Sequence, residues 1–318
     1  MADHYSSDHV NSISVQDFEA AFGERLSPYV TEQISKYSFE YTDFTSEEKE
    51  KLQVKIIETL LSLNLLQSGE HRLDQWETGW RENLELFLRN PQNIDLIIPK
   101  YFNKYGAVRW RGELIRPVSE KFEFYALAIV LDWLFDKYLR DVDAIYEFGC
   151  GTGHNLLRAR RVNPNATLWG MDWAAASQQI IMLLAEHKID HNIQANRFDY
   201  FNPDDSFRIK PNSVVYTVAS LEQVGARWEN FIDYLLRNQP TLCIHVEPIA
   251  ELLDSNKLID YLSIEYFKKR NYLEGFLSGL LKLEKQGKVH IHRSQRTHIG
   301  SLFIEGYSVV VWSPVTAT

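Results

Sequence analysis

The chain has 318 residues, 45% of them hydrophobic and 24% charged, which is the balance of a globular protein with a sizeable core. Its 34 Lys and Arg against 43 Asp and Glu leave a net charge of -9, which disfavours a nucleic-acid backbone as the main partner. Two cysteines, Cys150 and Cys243, exclude a disulfide framework or a Cys-rich zinc site; the start Met1-Ala2-Asp3-His4 lacks a secretory leader pattern and no membrane-length apolar run follows, so a reduced, cytoplasmic, soluble protein is expected.

Up to residue 118 the pattern is helical and polar, and no strand is expected there. Thr45-Ser46-Glu47-Glu48 reads as a capping box, with Leu52, Ile56, Ile57, Leu60 and Leu61 at helical spacing behind it. A second helix is expected from Asp74 to Arg89, stopped by Asn90-Pro91. The segment from Tyr101 to Pro117, rich in Gly, Arg and aromatics, reads as a long ordered connection. From 119 to 318 the pattern becomes that of an α/β domain. A long helix over Ser119 to Leu139 precedes short apolar runs at 144–148, 167–171, 213–218 and 241–246, with a further short strand near 193–197. Helical stretches near 155–162, 174–188, 227–238 and 254–285 alternate with them, predicting a mostly parallel sheet with right-handed crossovers. The runs 288–293 and 307–312 have no helix between them and predict an antiparallel C-terminal hairpin at the sheet edge.

The most informative stretch is Glu147-Phe148-Gly149-Cys150-Gly151-Thr152-Gly153, between an apolar strand and a helix. Glycines there let the chain turn tightly and let a ligand approach the backbone. The spacing is neither the dinucleotide fingerprint, whose sixth position here is His154, nor a P-loop, which would need Gly-Lys-Ser/Thr. A second acid, Asp172, follows the next strand in Gly170-Met171-Asp172-Trp173, where a carboxylate can accept both hydroxyls of a ribose. A third element is Arg197-Phe198-Asp199-Tyr200.

In these motifs residues 119–318 resemble the class I S-adenosylmethionine-dependent methyltransferases. The resemblance implies a seven-stranded Rossmann-like sheet and S-adenosyl-L-methionine as cofactor. Glu147, Gly149, Gly151 and Gly153 would hold its methionine part and Asp172 its ribose. Trp173, Phe198 and Asp199 would lie at the adenine. It also implies that the N-terminal helical region, 1–118, forms a lid or substrate domain. The tail from Arg296 to Trp312 is similar to methyltransferases of surface-polysaccharide sugars, which implies a small polar or sugar-like acceptor.

A hydroxyl acceptor benefits from a general base near the carboxyl ends of the strands. His245 and Glu247 project to one face at the end of the fifth strand, Glu222 follows the fourth, and His154 opens the helix after the glycine loop. His245, Glu247 and Glu222 are the expected catalytic residues, and no metal motif is present. Arg111 and Arg116, in the stretch Arg109 to Pro117, together with His298, are expected to meet the acceptor through charge and stacking. Arg158, Arg160 and Arg161 read as a solvated helix face, as do Lys268, Lys269 and Arg270. The expected activity is methyl transfer to a hydroxyl of a small molecule; the alternatives are N-methylation of a small molecule or protein, and a cofactor-binding scaffold without catalysis.

Overall fold

The computed structural model describes residues 9–102 and 104–315; the four-residue start on which the leader reading rests lies outside them. Among the described residues no helix is long and apolar enough to cross a membrane. In chain order the first part holds β1 (Asn11–Ser12), α1 (Val15–Phe22), α2 (Pro28–Ser35), β2 (Glu40–Asp43), α3 (Ser46–Leu61), α4 (Leu73–Arg89), β3 (Val108–Trp110) and β4 (Glu113–Pro117). There follow α5 (Phe122–Tyr138), β5 (Ala144–Phe148), α6 (His154–Val162), β6 (Thr167–Asp172), α7 (Ala175–Glu186) and β7 (Ile193–Arg197). The chain continues through β8 (Ser213–Val218), α8 (Glu229–Asn238), β9 (Leu242–Glu247), α9 (Leu258–Arg270) and α10 (Phe276–Lys285). It ends with β10 (Val289–Gln295), β11 (Ile299–Ser301) and β12 (Ser308–Pro314).

The main sheet runs β10-β12-β9-β8-β5-β6-β7. The pairs from β9 to β7 are parallel, and β12 is antiparallel to both its neighbours. Its central strand β5 is buried on both faces, as Ala144-Ile145-Tyr146-Glu147-Phe148 requires. One face packs on α5, α6 and α7 through Ile129, Ile145, Leu156 and Ile180; the other packs on α8 and α10 through Phe148, Phe231, Phe276 and Trp312. The helical stretch expected over 254–285 breaks into α9 and α10 because Asn271 adopts a left-handed φ of 51° at the C-cap of α9.

Two expectations change in the first part and at the tail. The segment expected as a connection without strands forms the β3–β4 hairpin, and β1 and β2 join it in a second sheet of order β1-β2-β4-β3-β11. The antiparallel pair expected at the sheet edge forms between β10 and β12, but the link between them supplies β11, the fifth strand of the second sheet, and so bridges the two sheets. Arg109 fastens the bridge: the buried guanidinium donates to the carbonyls of Ser301, Ile259 and Leu302 at 3.1, 3.1 and 3.0 Å. The Thr45 capping box forms as read, with Glu48 N donating to Thr45 Oγ1 at 3.2 Å and Thr45 N to Glu48 Oε2 at 2.9 Å.

Arg158 and Arg160 do not lie on a solvated face. Arg158 is buried against Asp132 of α5 at 2.6 Å, and Arg160 forks onto Asp190 at 2.7 and 3.0 Å; Arg161 alone of the three is exposed.

Candidate active site

The carboxyl ends of β5, β6 and β8 open into a cavity of about 770 Å³. The strand order reverses between β5 and β8, which is where an open α/β sheet leaves a crevice for a ligand. The floor is the glycine loop. Gly149 (φ 68°) turns the chain off β5, and its N–H donates to Met171 O at 2.7 Å; a side chain there would collide with Ser220. Gly151 (φ 51°) lies under Trp80 of α4, whose ring a Cβ would meet at 2.8 Å. Gly153 is the N-cap of α6.

Both acids flank this loop. Glu147 accepts from Asn155 Nδ2 at 2.8 Å and Tyr216 OH at 3.1 Å, and burial still pushes its carboxyl up to about 8 against those bonds. Asp172 accepts from Gly151 N at 2.8 Å and Ala174 N at 2.9 Å, and burial pushes it up to about 6. Asp172 thus also fixes the glycine loop, and its two oxygens keep further lone pairs for a ligand. Trp173, half-buried, and Phe198, edge-on to Phe148 at 4.5 Å, line the cavity. Asp199 does not line it: its carboxylate accepts from Phe201 N at 2.8 Å and Asn202 Nδ2 at 3.3 Å and closes a local turn.

Of the three expected catalytic residues, Glu222 alone lines the cavity. It is 7% exposed and accepts from Gln223 Nε2 at 2.8 Å. Burial, then the charge of Glu247, push its carboxyl up to about 8, with Arg270 and a hydrogen bond from Tyr272 opposing. Glu247 is turned inward and receives the backbone N–H groups of Ser220, Leu221 and Glu222 at 3.1, 3.1 and 3.2 Å. His245 shares its face and is core: Nδ1 lies 3.0 Å from Thr217 Oγ1, and Trp312 Nε1 donates to Nε2 at 2.9 Å. His154 does line the cavity, with Nδ1 3.2 Å from Thr152 Oγ1 and a buried Nε2 that has no partner among the described residues; burial and then Arg158 push it down to about 3.

The expected acceptor residues lie elsewhere. Arg111 is exposed and 3.6 Å from Asp17, Arg116 pairs with Glu48 and stacks on Phe44 at 4.5 Å, and His298 stands 3.8 Å from Glu305. None of the three lines the cavity, because the hairpin carrying the arginines belongs to the second sheet and presents them to its own neighbours.

The roof of the cavity went unread in the sequence. Trp76 and Trp80 share one face of α4, and Arg72, four residues before Trp76 at the N-cap of the helix, extends it, with Trp76 stacked on Trp80 at 5.7 Å and the Arg72 guanidinium 5.2 Å from the Trp76 ring. That spacing was the available signal. Helix α4 also reaches the second acid's loop, where Ala176 N donates to Glu77 Oε2 at 3.1 Å. Tyr266 and Arg270 of α9, with Tyr272 just past its end, complete the wall, which revises the reading of Arg270 as part of a solvated face.

No family model matches the chain, and no curated protein matches it in sequence. Solved structures do match in shape. The cyclase SpnF superposes with a TM-score of 0.51 at 12% identity over 80% of this chain and 98% of its own. Magnesium protoporphyrin IX methyltransferase from Synechocystis PCC 6803 gives 0.45 at 12% identity, over 62% and 87%. Geranyl diphosphate C-methyltransferase from Streptomyces coelicolor A3(2) gives 0.44 at 12% identity, over 63% and 86%. With seven strands ordered β10-β12-β9-β8-β5-β6-β7, the second of these, β12, antiparallel to its neighbours, the chain has the Rossmann-like fold of the class I methyltransferases.

Proposed function

We propose that the protein is an S-adenosylmethionine-dependent methyltransferase acting on a hydroxyl of a small polar acceptor, sugar-like acceptors included. The observation that carries this reading is that the glycine loop, Glu147 and Asp172 open on the same cavity as the carboxyl of Glu222. The donor set suits the cofactor: one buried carboxylate for an ammonium group, a second for ribose hydroxyls, and the rings of Trp173 and Phe198 for a flat base. When bound, S-adenosylmethionine supplies a methyl group on a sulfonium sulfur, open to in-line displacement. Glu222 takes the proton of the attacking hydroxyl, and Glu247 is its positioning residue, holding the 220–222 backbone. Glu222 is favoured over His154 because a base whose conjugate acid sits near 3 holds a proton too weakly to draw one from a hydroxyl.

We assign residues 1–118 the role of cover, supported by Trp80 on the glycine loop and Glu77 on the Ala176 amide. Two buried, unpaired cysteines fit a reduced, cytoplasmic setting. SpnF, a cyclase on this fold, is a reminder that the fold does not fix the reaction, so transfer must be assayed directly.

Calorimetric titration of S-adenosylhomocysteine into wild type and Asp172→Ala tests the cofactor. Loss of more than about tenfold in the variant, about 1.4 kcal/mol, is expected; absence of binding to the wild type would sink the reading. The same titration carries a proton signature. Glu147, pushed up to about 8, is mostly protonated at neutral pH, and a cationic amino group beside it favours the carboxylate. Binding near pH 7 should therefore release protons, so the apparent enthalpy should differ between phosphate and Tris buffers, and affinity should rise with pH until about 8. Buffer-independent enthalpy would remove Glu147 from the ammonium site.

A further inference from the structure

Four buried or half-buried arginines of the described residues have a carboxylate or a full set of acceptors around the guanidinium. Arg109 faces three carbonyls and a hydroxyl, Arg158 pairs with Asp132, Arg160 with Asp190, and Arg296 with both Asp260 and Glu305. Arg72 and Arg270 both line the cavity, and among the described residues neither has a carboxylate within ion-pairing distance.

Their hydrogen bonds leave donors over. Arg72 is 8% exposed; its Nε donates to Gln75 Oε1 at 3.0 Å and one Nη1 hydrogen to Gln223 Oε1 at 3.2 Å. Arg270 donates through Nη1 to Leu66 O and through Nη2 to Tyr272 OH at 3.3 Å, while its buried Nε has no partner among the described residues. A guanidinium has five N–H groups, so each keeps three uncommitted. Glu222, whose charge acts on both guanidinium groups, stands outside ion-pairing distance of either, takes its own bonds from Gln223 and Tyr272, and has its carboxyl pushed up by burial. They also oppose each other: after burial, the charge of Arg270 is the next cause holding Arg72 below its ordinary value. Leaving donors unbonded in the cavity wall and two like charges beside each other is costly, and an anion between them would relieve both.

We propose that Arg72 and Arg270 are the receptor for an anionic group, a carboxylate or a phosphate, carried by the acceptor molecule. This rests on the reading of the cavity as the active site. The rings of Trp76, Tyr266 and Phe303 line the same space and provide flat apolar surface for the ring that bears the anion. The anion-binding role expected of Arg111 and Arg116 thereby moves to a pair far from them in sequence. Planar, bidentate recognition also explains why arginine rather than lysine stands at both positions.

The test uses the full chain and three probes of one shape: phenylacetate, phenyl phosphate and the neutral phenylacetamide. Each is titrated by tryptophan fluorescence and calorimetry, with and without saturating S-adenosylhomocysteine. At least one anion should bind about tenfold tighter than the amide, and Arg72→Gln or Arg270→Gln should reduce that ratio to about threefold or less. Affinity for S-adenosylhomocysteine should stay within about twofold in both variants, which also reports an intact fold. A higher affinity for phenyl phosphate than for phenylacetate identifies the natural group as a phosphate, and the reverse as a carboxylate. Equal binding of amide and anions, no binding of any probe at about 10 mM, or an anion preference that survives both substitutions overturns the proposal. Failure of the wild type to bind S-adenosylhomocysteine is a separate outcome that strikes the cofactor reading, since the anion titration is also run without it.

Discussion

Glu222→Gln is expected to lower kcat by about 10²–10⁴-fold, the usual contribution of a general base, while the affinity for S-adenosylhomocysteine stays the same. The amide keeps the size of the side chain and can still bond Gln223, so the loss reports the missing base rather than a collapsed wall. The direction with pH is fixed by the environment. Burial and the nearby Glu247 push the Glu222 carboxyl up to about 8. A base works only when deprotonated, so wild-type kcat/KM should climb about tenfold per pH unit on the acid side and level off above about 8. In Glu222→Gln that climb should vanish. An unchanged pH profile and a kcat within about twofold of wild type would show that no proton is taken by Glu222, and an amine acceptor, which needs orientation more than a base, would become the better reading.

The glycine-loop side of this cavity was legible in the sequence, Asp199 excepted, and the opposite wall was not. Glu147, the three glycines and Asp172 sit at strand ends fixed by short-range pattern, so position along the chain gave their position in space. Strand alternation puts His245 and Glu247 on one face but does not say what covers it: Trp312 of β12 and the Ser220–Glu222 backbone fill that side. The second sheet escaped because its strands are short and their pairing is remote, as in Ile299 opposite Trp110. The wall made by Arg72, Trp76 and Arg270 escaped for the same reason. Arg72 extends the helix face that Trp76 shares with Trp80, but the partner that turns them into a site lies on α9, about two hundred residues later. Helix patterning says which residues share a face, not what that face meets.

Asp132 interrupts the most apolar helix in the chain, and the reason is Arg158. The two form an ion pair at 2.6 Å with side-chain exposures of 0% and 8%, joining α5 to α6. Arg158→Met should cost about 3–5 kcal/mol in urea unfolding, because it strands a buried carboxylate that already has one oxygen, Oδ1, without a hydrogen bond. Replacing both partners, Asp132→Leu with Arg158→Met, removes the stranded charge as well, so the double variant should recover most of the loss. The pH dependence follows from the sign of the shift. Burial already raises the folded Asp132 carboxyl above its unfolded value even with Arg158 present, and losing the guanidinium raises it further. The folded state then binds a proton that the unfolded state has given up, so the deficit of Arg158→Met should be largest near neutral pH and shrink as pH falls toward about 4, where an unfolded Asp also takes up its proton. A single-variant loss below about 1 kcal/mol, or a deficit that grows on acidification, would mean that water reaches Asp132 and that the pair does not hold the two helices together.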